Sequence, residues 1–201
     1  VTAQPNKSKG ERLSMSDLSY GQWMNELLIH LELEDVTLAG FSFGGLIILK
    51  TLAFDESRIK AAYLAAPAYI VNGNPLKLLW TMFIPMKRYM KTAKPKHIRR
   101  FLSEIFTDDD PFALAFLSQV FLHFEMDFTP VPVISKKEAG RIRTPVTLFA
   151  AKQDLVFPGE RMIKRAKRIF PSLRQAVLFE DSKHVQARVH NDQIEKFIME
   201  A

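Results

Sequence analysis

Hydrophobic residues follow two spacings along this chain, and the spacings alternate from one segment to the next. Continuous apolar runs predict buried strands at 36–39 and 59–65, and within two segments that end in loops, 143–154 and 175–184. Apolar residues three to four positions apart predict helices at 19–33, 46–53 and 161–170 and from 184 to the end. Strands that alternate with helices are typical of an α/β protein, so we expect a mostly parallel sheet flanked by helices.

The first and last helices have predicted ends and core faces. Ser19-Tyr-Gly-Gln22 resembles a capping box, so the first helix should begin there and end near Leu33. Its core face would carry the apolar residues Trp23, Leu27, Leu28 and Leu31. The last helix should begin at His184 and direct three apolar residues inward, Ile194, Phe197 and Ile198.

Residues 68–138 differ from the rest of the chain, because they combine long apolar and basic stretches with few strand signals. Three helices are predicted here, at 76–90, 95–106 and 111–124, each opened or broken by a proline. The segment lies between the predicted strand that ends near Ala66 and the predicted strand at Val146. The predicted organisation is therefore a core of residues 1–67 and 139–201 with a helical insertion of 68–138.

Gly40-Phe41-Ser42-Phe43-Gly44 lies between a predicted strand and a predicted helix. A Gly-x-Ser-x-Gly pentapeptide at such a junction forces a sharp turn that projects the serine hydroxyl above the sheet. Gly40 and Gly44 lack a Cβ atom, which should let the turn close and the helix pack on its strand. Ser42 is therefore a candidate nucleophile, although serines in loops are often merely solvated.

A serine hydroxyl needs a positioned base, which in turn needs an orienting acid. Asp154 and His184 each follow a predicted strand, where open α/β sheets place their ligands, and they are the candidates. Asp154 has an alternative role as a helix cap, and His184 as an ordinary surface residue, the role expected of His190. Asp181 is the rival acid, since it is close to His184 in sequence.

These motifs resemble those of α/β-hydrolase fold enzymes, and are nearest to small bacterial carboxylesterases. Residues 33–45 match the family's nucleophile turn, and 148–158 are similar to its acid loop. Lys183 departs from the pattern, because a glycine commonly precedes the histidine. The order Ser42, Asp154, His184 is the family's order. The resemblance covers nearly all of the chain except the insertion and implies that Ser42, Asp154 and His184 form a catalytic triad beneath a helical lid.

The resemblance also implies an oxyanion hole built from two donors. One would be the backbone N–H of Phe43, and the other often comes from a His-Gly sequence after an earlier strand. No such sequence occurs in the 41 residues before Ser42. We therefore expect the N-terminal strands of the fold to be missing from this chain, with a short natural variant as the alternative. The strand at 36–39 would then need the missing segment as its partner.

Composition restricts the class of protein and the kinds of site that the chain can contain. The chain has 201 residues, of which 47% are hydrophobic and 25% charged, as in a globular protein. The absence of cysteine excludes disulfides and a thiol nucleophile, the histidines lack zinc-site spacing, and we expect no metal and no cofactor. No apolar run approaches membrane-spanning length and no leader is visible, so the cytoplasm is the default location, although a preceding segment would decide it.

Charge bears on the expected partners. A net charge of +6 without a recognisable motif gives no reason to expect a nucleic-acid partner. Residues 76–103 contain eight Lys or Arg residues and no Asp or Glu, which favours an ordinary solvated helix face over a site for anionic substrates or a membrane. We expect a small-molecule ester as the partner and no membrane contact.

Three functions remain open at the level of the sequence. The first is hydrolysis of carboxylic esters, with thioesters, lactones and carbon–carbon bonds as close variants. The second is acyl transfer to an alcohol other than water. The third is binding without catalysis on the same scaffold.

Overall fold

A computed structural model describes residues 12–124, 127 and 129–200. At its centre four parallel strands form a sheet in the order β1-β2-β3-β4. The strands are β1 Val36–Phe41, β2 Ile59–Ala65, β3 Val146–Ala151 and β4 Leu173–Phe179. β2 and β3 are buried over most of their length, which is why they appear in the sequence as continuous apolar runs. The predicted α/β class and parallel sheet are confirmed.

Helices cover both faces of the sheet. They are α1 Ser19–His30, α2 Phe43–Phe54, the short α7 Lys136–Ala139, α8 Gly159–Ile169 and α9 Arg188–Met199. α1, α2 and α8 share one hydrophobic core with sheet residues such as Leu64 and Leu148. α9 covers the other face, where Ile194, Phe197 and Ile198 pack against a cluster of sheet residues as predicted. No helix within the described ranges is long and apolar enough to cross a membrane.

One prediction about α1 is wrong, and another holds only in part. Ser19 and Gln22 do not form a capping box: the Ser19 N–H donates to Asp17 Oδ1, and the Gln22 side chain donates to Glu26. Of the predicted core face, Leu28 is buried and Trp23 packs against the core, whereas Leu27 and Leu31 are exposed and Tyr20 is buried as well. Helical spacing leaves the exact centre of the inward face open, and packing against α2 determines it.

Between β2 and β3 the chain forms a group of helices, which we call the helical segment (75–124). It contains α3 Pro75–Leu78, one π-helical turn Leu79–Phe83, α4 Ile84–Thr92, α5 Pro95–Ile105 and α6 Pro111–His123. Asn74 and Asp110 accept hydrogen bonds from the first N–H groups of α3 and α6, each followed by a proline. The segment has a hydrophobic cluster of its own. The insertion boundaries at 68 and 138 stay predictions.

β1 is an edge strand of the described sheet. The N–H groups of Val36 and Ser42 donate to Arg58 and Ala65 on the β2 side. Since successive residues of a strand direct their backbone groups to opposite sides, those of Thr37, Ala39 and Phe41 lie on the side where no described strand pairs with β1.

Candidate active site

Ser42 lies at the turn between β1 and α2 with φ 50° and ψ −112°. A side chain in this positive-φ conformation costs on the order of 1–3 kcal/mol, so surrounding contacts must hold it. The Ser42 N–H donates to Ala65 O over 2.9 Å, while Ser42 O accepts from Gly45 N–H at 3.0 Å and Ala68 N–H at 2.9 Å. These three hydrogen bonds hold the backbone of Ser42 in its conformation.

Two glycines permit this turn, and they are not the pair predicted. A Cβ on Gly40 would lie 2.6 Å from Ile48 Cδ1 and 2.8 Å from Gly44 C, so the strand end needs glycine. A Cβ on Gly45 would lie 2.4 Å from Pro67 Cβ. Gly44 has open space at that position, so the steric role expected of it belongs to Gly45.

The structure brings together the three side chains singled out in the sequence. His184 Nε2 lies 2.9 Å from Ser42 Oγ, and His184 Nδ1 lies 2.8 Å from Asp154 Oδ2. The Asp154 side chain is fully buried, and the imidazole of His184 is 10% exposed. A carboxylate on Nδ1 favours the tautomer with the proton there, which leaves Nε2 free to accept the serine proton.

Asp154 is held by the loop that follows β3. Its Oδ1 accepts the backbone N–H groups of Val156 at 2.7 Å and Phe157 at 2.9 Å. These bonds leave Oδ2 for the imidazole. The alternative role as a cap of α8 does not apply, because that helix begins at Gly159 with Pro158 before it.

His184 lies in the loop between β4 and α9, since α9 begins at Arg188 and not at His184 as predicted. The rings of Phe41 and Phe157 lie against the imidazole, with centroids 5.1 Å and 5.4 Å away. Two aromatic walls limit the positions that the imidazole can take.

Thr107 ties this histidine loop to the helical segment, and sequence reasoning missed it. Its Oγ1 donates to Val185 O at 2.7 Å and accepts the Lys183 N–H at 3.0 Å. Val185 N–H also donates to Ile105 O at 2.9 Å, and Lys183 Nζ donates to Ser103 O at 2.6 Å. The lysine that departs from the family pattern therefore contacts the last turn of α5. These contacts span more than 70 residues, so no local pattern could reveal them.

Asp181 contacts a different histidine. His190 Nε2 lies 2.9 Å from Asp181 Oδ1, and this hydrogen bond lowers the pKa of the Asp181 carboxyl. His190 is 4% exposed and lies against the Phe179 ring, so its expected surface position is wrong. Within the described ranges no three or more metal-ligating side chains come together.

Phe43 is the first residue of α2, and the N–H of a first helical residue has no partner inside its helix. The Phe43 ring is packed edge-on against Tyr20 at 5.2 Å, and the Arg12 guanidinium lies over it at 5.1 Å. The ring is thereby anchored beside Ser42, and the helix N-terminus carries a partial positive charge.

A cavity of about 860 Å³ opens at Ser42 and His184. The helical segment provides one wall, which includes Met82, Met86 and Phe121. Val131 and Phe157 lie on the wall formed by the core loops. A pocket of this size can enclose a drug-sized molecule.

No protein-family model and no curated protein matches the chain. Solved structures do match. Naproxen esterase (carboxylesterase NP) from Bacillus subtilis superposes with a TM-score of 0.78 at 20% identity, over 98% of this chain and 70% of that one. Carboxylesterase CesB from the same organism gives 0.77 at 18% identity, over 100% of this chain and 73% of that one.

An esterase from Exiguobacterium antarcticum superposes with a TM-score of 0.71 at 20% identity, over 96% of this chain and 76% of that one. At these identities the likeness establishes the fold. The chain has the α/β-hydrolase fold that its sequence motifs predict, and its structure is similar to those of bacterial esterases.

Proposed function

We propose that this protein is a serine hydrolase that cleaves carboxylic esters through an acyl-enzyme intermediate. The observation that carries the proposal is the continuous hydrogen-bonded chain from Ser42 Oγ through His184 to buried Asp154. A nucleophile, a base and an orienting acid in contact are the three parts that acyl transfer needs. The similarity to esterase structures supports the same reaction class.

In the first half of the reaction Ser42 Oγ attacks the ester carbonyl carbon while His184 Nε2 takes the serine proton. Asp154 Oδ2 accepts the Nδ1–H bond and stabilises the imidazolium that forms. The Phe43 N–H donates to the developing oxyanion. The bond from carbon to the alcohol oxygen then breaks, and the alcohol leaves with the proton from Nε2.

In the second half water replaces the alcohol. His184 Nε2 takes a proton from water, whose oxygen attacks the acyl carbon. The bond to Ser42 Oγ breaks, the serine recovers a proton from Nε2, and the carboxylic acid leaves. The helical segment acts as a lid that limits the access of bulk water to this site.

A fluorophosphonate probe tests the nucleophile directly. We expect it to label the purified protein on Ser42, as located by mass spectrometry of peptides, and we expect p-nitrophenyl esters to be hydrolysed. Ser42→Ala is the control for both measurements. Equal labelling of parent and variant, or no labelling and no turnover, would favour binding without catalysis.

Acyl transfer to an alcohol is the second candidate, and the apolar walls of the cavity favour it. Such walls hold an organic acceptor more readily than they hold water. An ester assayed with and without added alcohols distinguishes the two. Transfer product that exceeds hydrolysis product at millimolar acceptor would identify a transferase, whereas hydrolysis that dominates at every acceptor concentration would identify a hydrolase.

A further inference from the structure

The walls of the cavity restrict which ester the proposed hydrolase can take. Two methionines and a phenylalanine line the side formed by the π-helical turn and α4, namely Met82, Phe83 and Met86. Phe101 of α5 and Leu117 of α6 extend this surface. Flexible thioether chains beside aromatic rings adapt to apolar groups of differing shape.

The π-helical turn contributes to this wall. An additional residue in one turn rotates the side chains that follow it, and such turns are frequent at functional sites. Here Leu78, Met82 and Phe83 line the cavity, whereas Leu79 and Trp80 are exposed on the outer side. The turn therefore brings apolar side chains to the space above Ser42.

Charge is nearly absent from the described lining. Besides His184, which the reaction uses, Asp127 is the ionisable residue there, and its Oδ2 forms an ion pair with Arg12 Nη1 at 2.6 Å. The Asp127 Oδ1 accepts the Thr129 N–H at 2.8 Å. Both carboxylate oxygens thus have partners, and no cationic side chain among the described lining residues faces a substrate anion.

We propose that the site takes uncharged esters in which the acyl or the alcohol part is a large apolar group, of the size of a medium-chain fatty acyl chain. This inference rests on the proposed function. A short ester would leave most of the 860 Å³ cavity unfilled by substrate. Each methylene buried there contributes up to about a fourfold gain in kcat/KM.

Two ester series test the inference. One consists of p-nitrophenyl esters with acyl chains of rising length, and the other of acetate esters with alcohols of rising length. We expect kcat/KM to rise at least tenfold from the two-carbon to the eight-carbon member of one series. A p-nitrophenyl ester with a terminal carboxylate on its acyl chain should be at least tenfold poorer than the neutral ester of equal length.

Pocket variants supply the matched comparison. Leu117→Trp fills the cavity from α6, and Val131→Phe fills it from the opposite loop, so the inference stays testable if one variant does not fold. Either should lower the long-to-short ratio of kcat/KM at least tenfold. Leu122→Trp, on the exposed side of the same α6 helix, should leave that ratio within twofold.

The outcomes separate the inference from the proposed function. Hydrolysis of acetate esters with probe labelling of Ser42, but flat or falling rates with length in both series, would overturn only the inference. Equal or better rates for the carboxylate-bearing ester would also overturn it. No turnover of any ester and no labelling would overturn the proposed function itself.

Discussion

Ser42 is the proposed nucleophile, so its loss should lower the reaction rate at least as much as the loss of any other side chain at the site. Ser42→Ala should lower kcat on the order of a millionfold, and Asp154→Asn on the order of ten thousandfold, since an amide at 154 holds the wrong imidazole tautomer. Steady-state rates with a p-nitrophenyl ester provide the measurement. Two variants with equal, small losses would show that the contacts among these residues do not serve catalysis.

The backbone of Ser42 is also a point of strain, and its release should stabilise the protein. Glycine adopts φ 50° and ψ −112° without a Cβ penalty. After the greater chain entropy of unfolded glycine is allowed for, Ser42→Gly should raise the free energy of unfolding by about 1 kcal/mol while activity is lost. Urea unfolding measures the difference. Ser42→Ala, which keeps the Cβ atom, is the control, and equal stability of the two variants would contradict the prediction.

The loop that carries His184 depends on Thr107 for its position. Thr107→Val removes the hydrogen bonds to Val185 O and Lys183 N–H while keeping the side-chain volume. A small displacement of the imidazole should lower kcat about tenfold, with less effect on KM. Thr107→Ser should restore most of the rate because it keeps the hydroxyl. A loss of thermal stability without a change in kcat would indicate a structural role only.

A second set of contacts joins α2 to residues that precede and follow the helical segment, one on each side. Lys50 Nζ donates to Asp17 O at 2.6 Å and to Tyr69 Oη at 3.3 Å, and Tyr69 Oη donates to Glu138 Oε1 at 2.8 Å. Burial lowers the pKa of Lys50, and burial together with Glu138 raises the pKa of Tyr69. A lysine that is 1% exposed depends on these partners for its charge.

Removal of the Tyr69 hydroxyl should therefore destabilise the fold. Tyr69→Phe leaves Lys50 and Glu138 with one partner fewer, at a cost of about 1–3 kcal/mol in the free energy of unfolding. Tyr63→Phe deletes a hydroxyl from another buried tyrosine and should change stability by about 0.5 kcal/mol or less. Denaturant melts of both variants test this, and equal losses would show that the network contributes nothing specific.

Local elements could be predicted from the sequence, whereas features that depend on tertiary contacts could not. The strands, α2 and the turn at Ser42 follow from short apolar runs and nearby glycines. Asp154 and His184 could be selected because each follows a strand, and parallel strands end at one edge. The burial of His190 and the position of Thr107 depend on residues far along the chain, and no local pattern encodes them.

At the scale of the whole molecule, the side of β1 with which no described strand pairs is the feature with the largest consequence. Phe41 is 42% exposed and lies beside a groove of about 450 Å³ that also contains Ile194, Ile198 and Met199 of α9. Free backbone groups next to an apolar groove form a site for one more strand. The naproxen esterase structure is longer than this chain, which covers 70% of it.

We propose that a further strand with apolar side chains pairs with β1 and covers this groove. The protein should then self-associate when nothing else pairs with β1, because the strand edge and the exposed Phe41 ring form an apolar surface. Ala39→Lys places a charge on the exposed edge and should reduce the association measured by sedimentation, whereas Asp192→Lys on α9 should not. A protein that stays monomeric at high concentration would contradict the proposal, since it would show that β1 needs no partner.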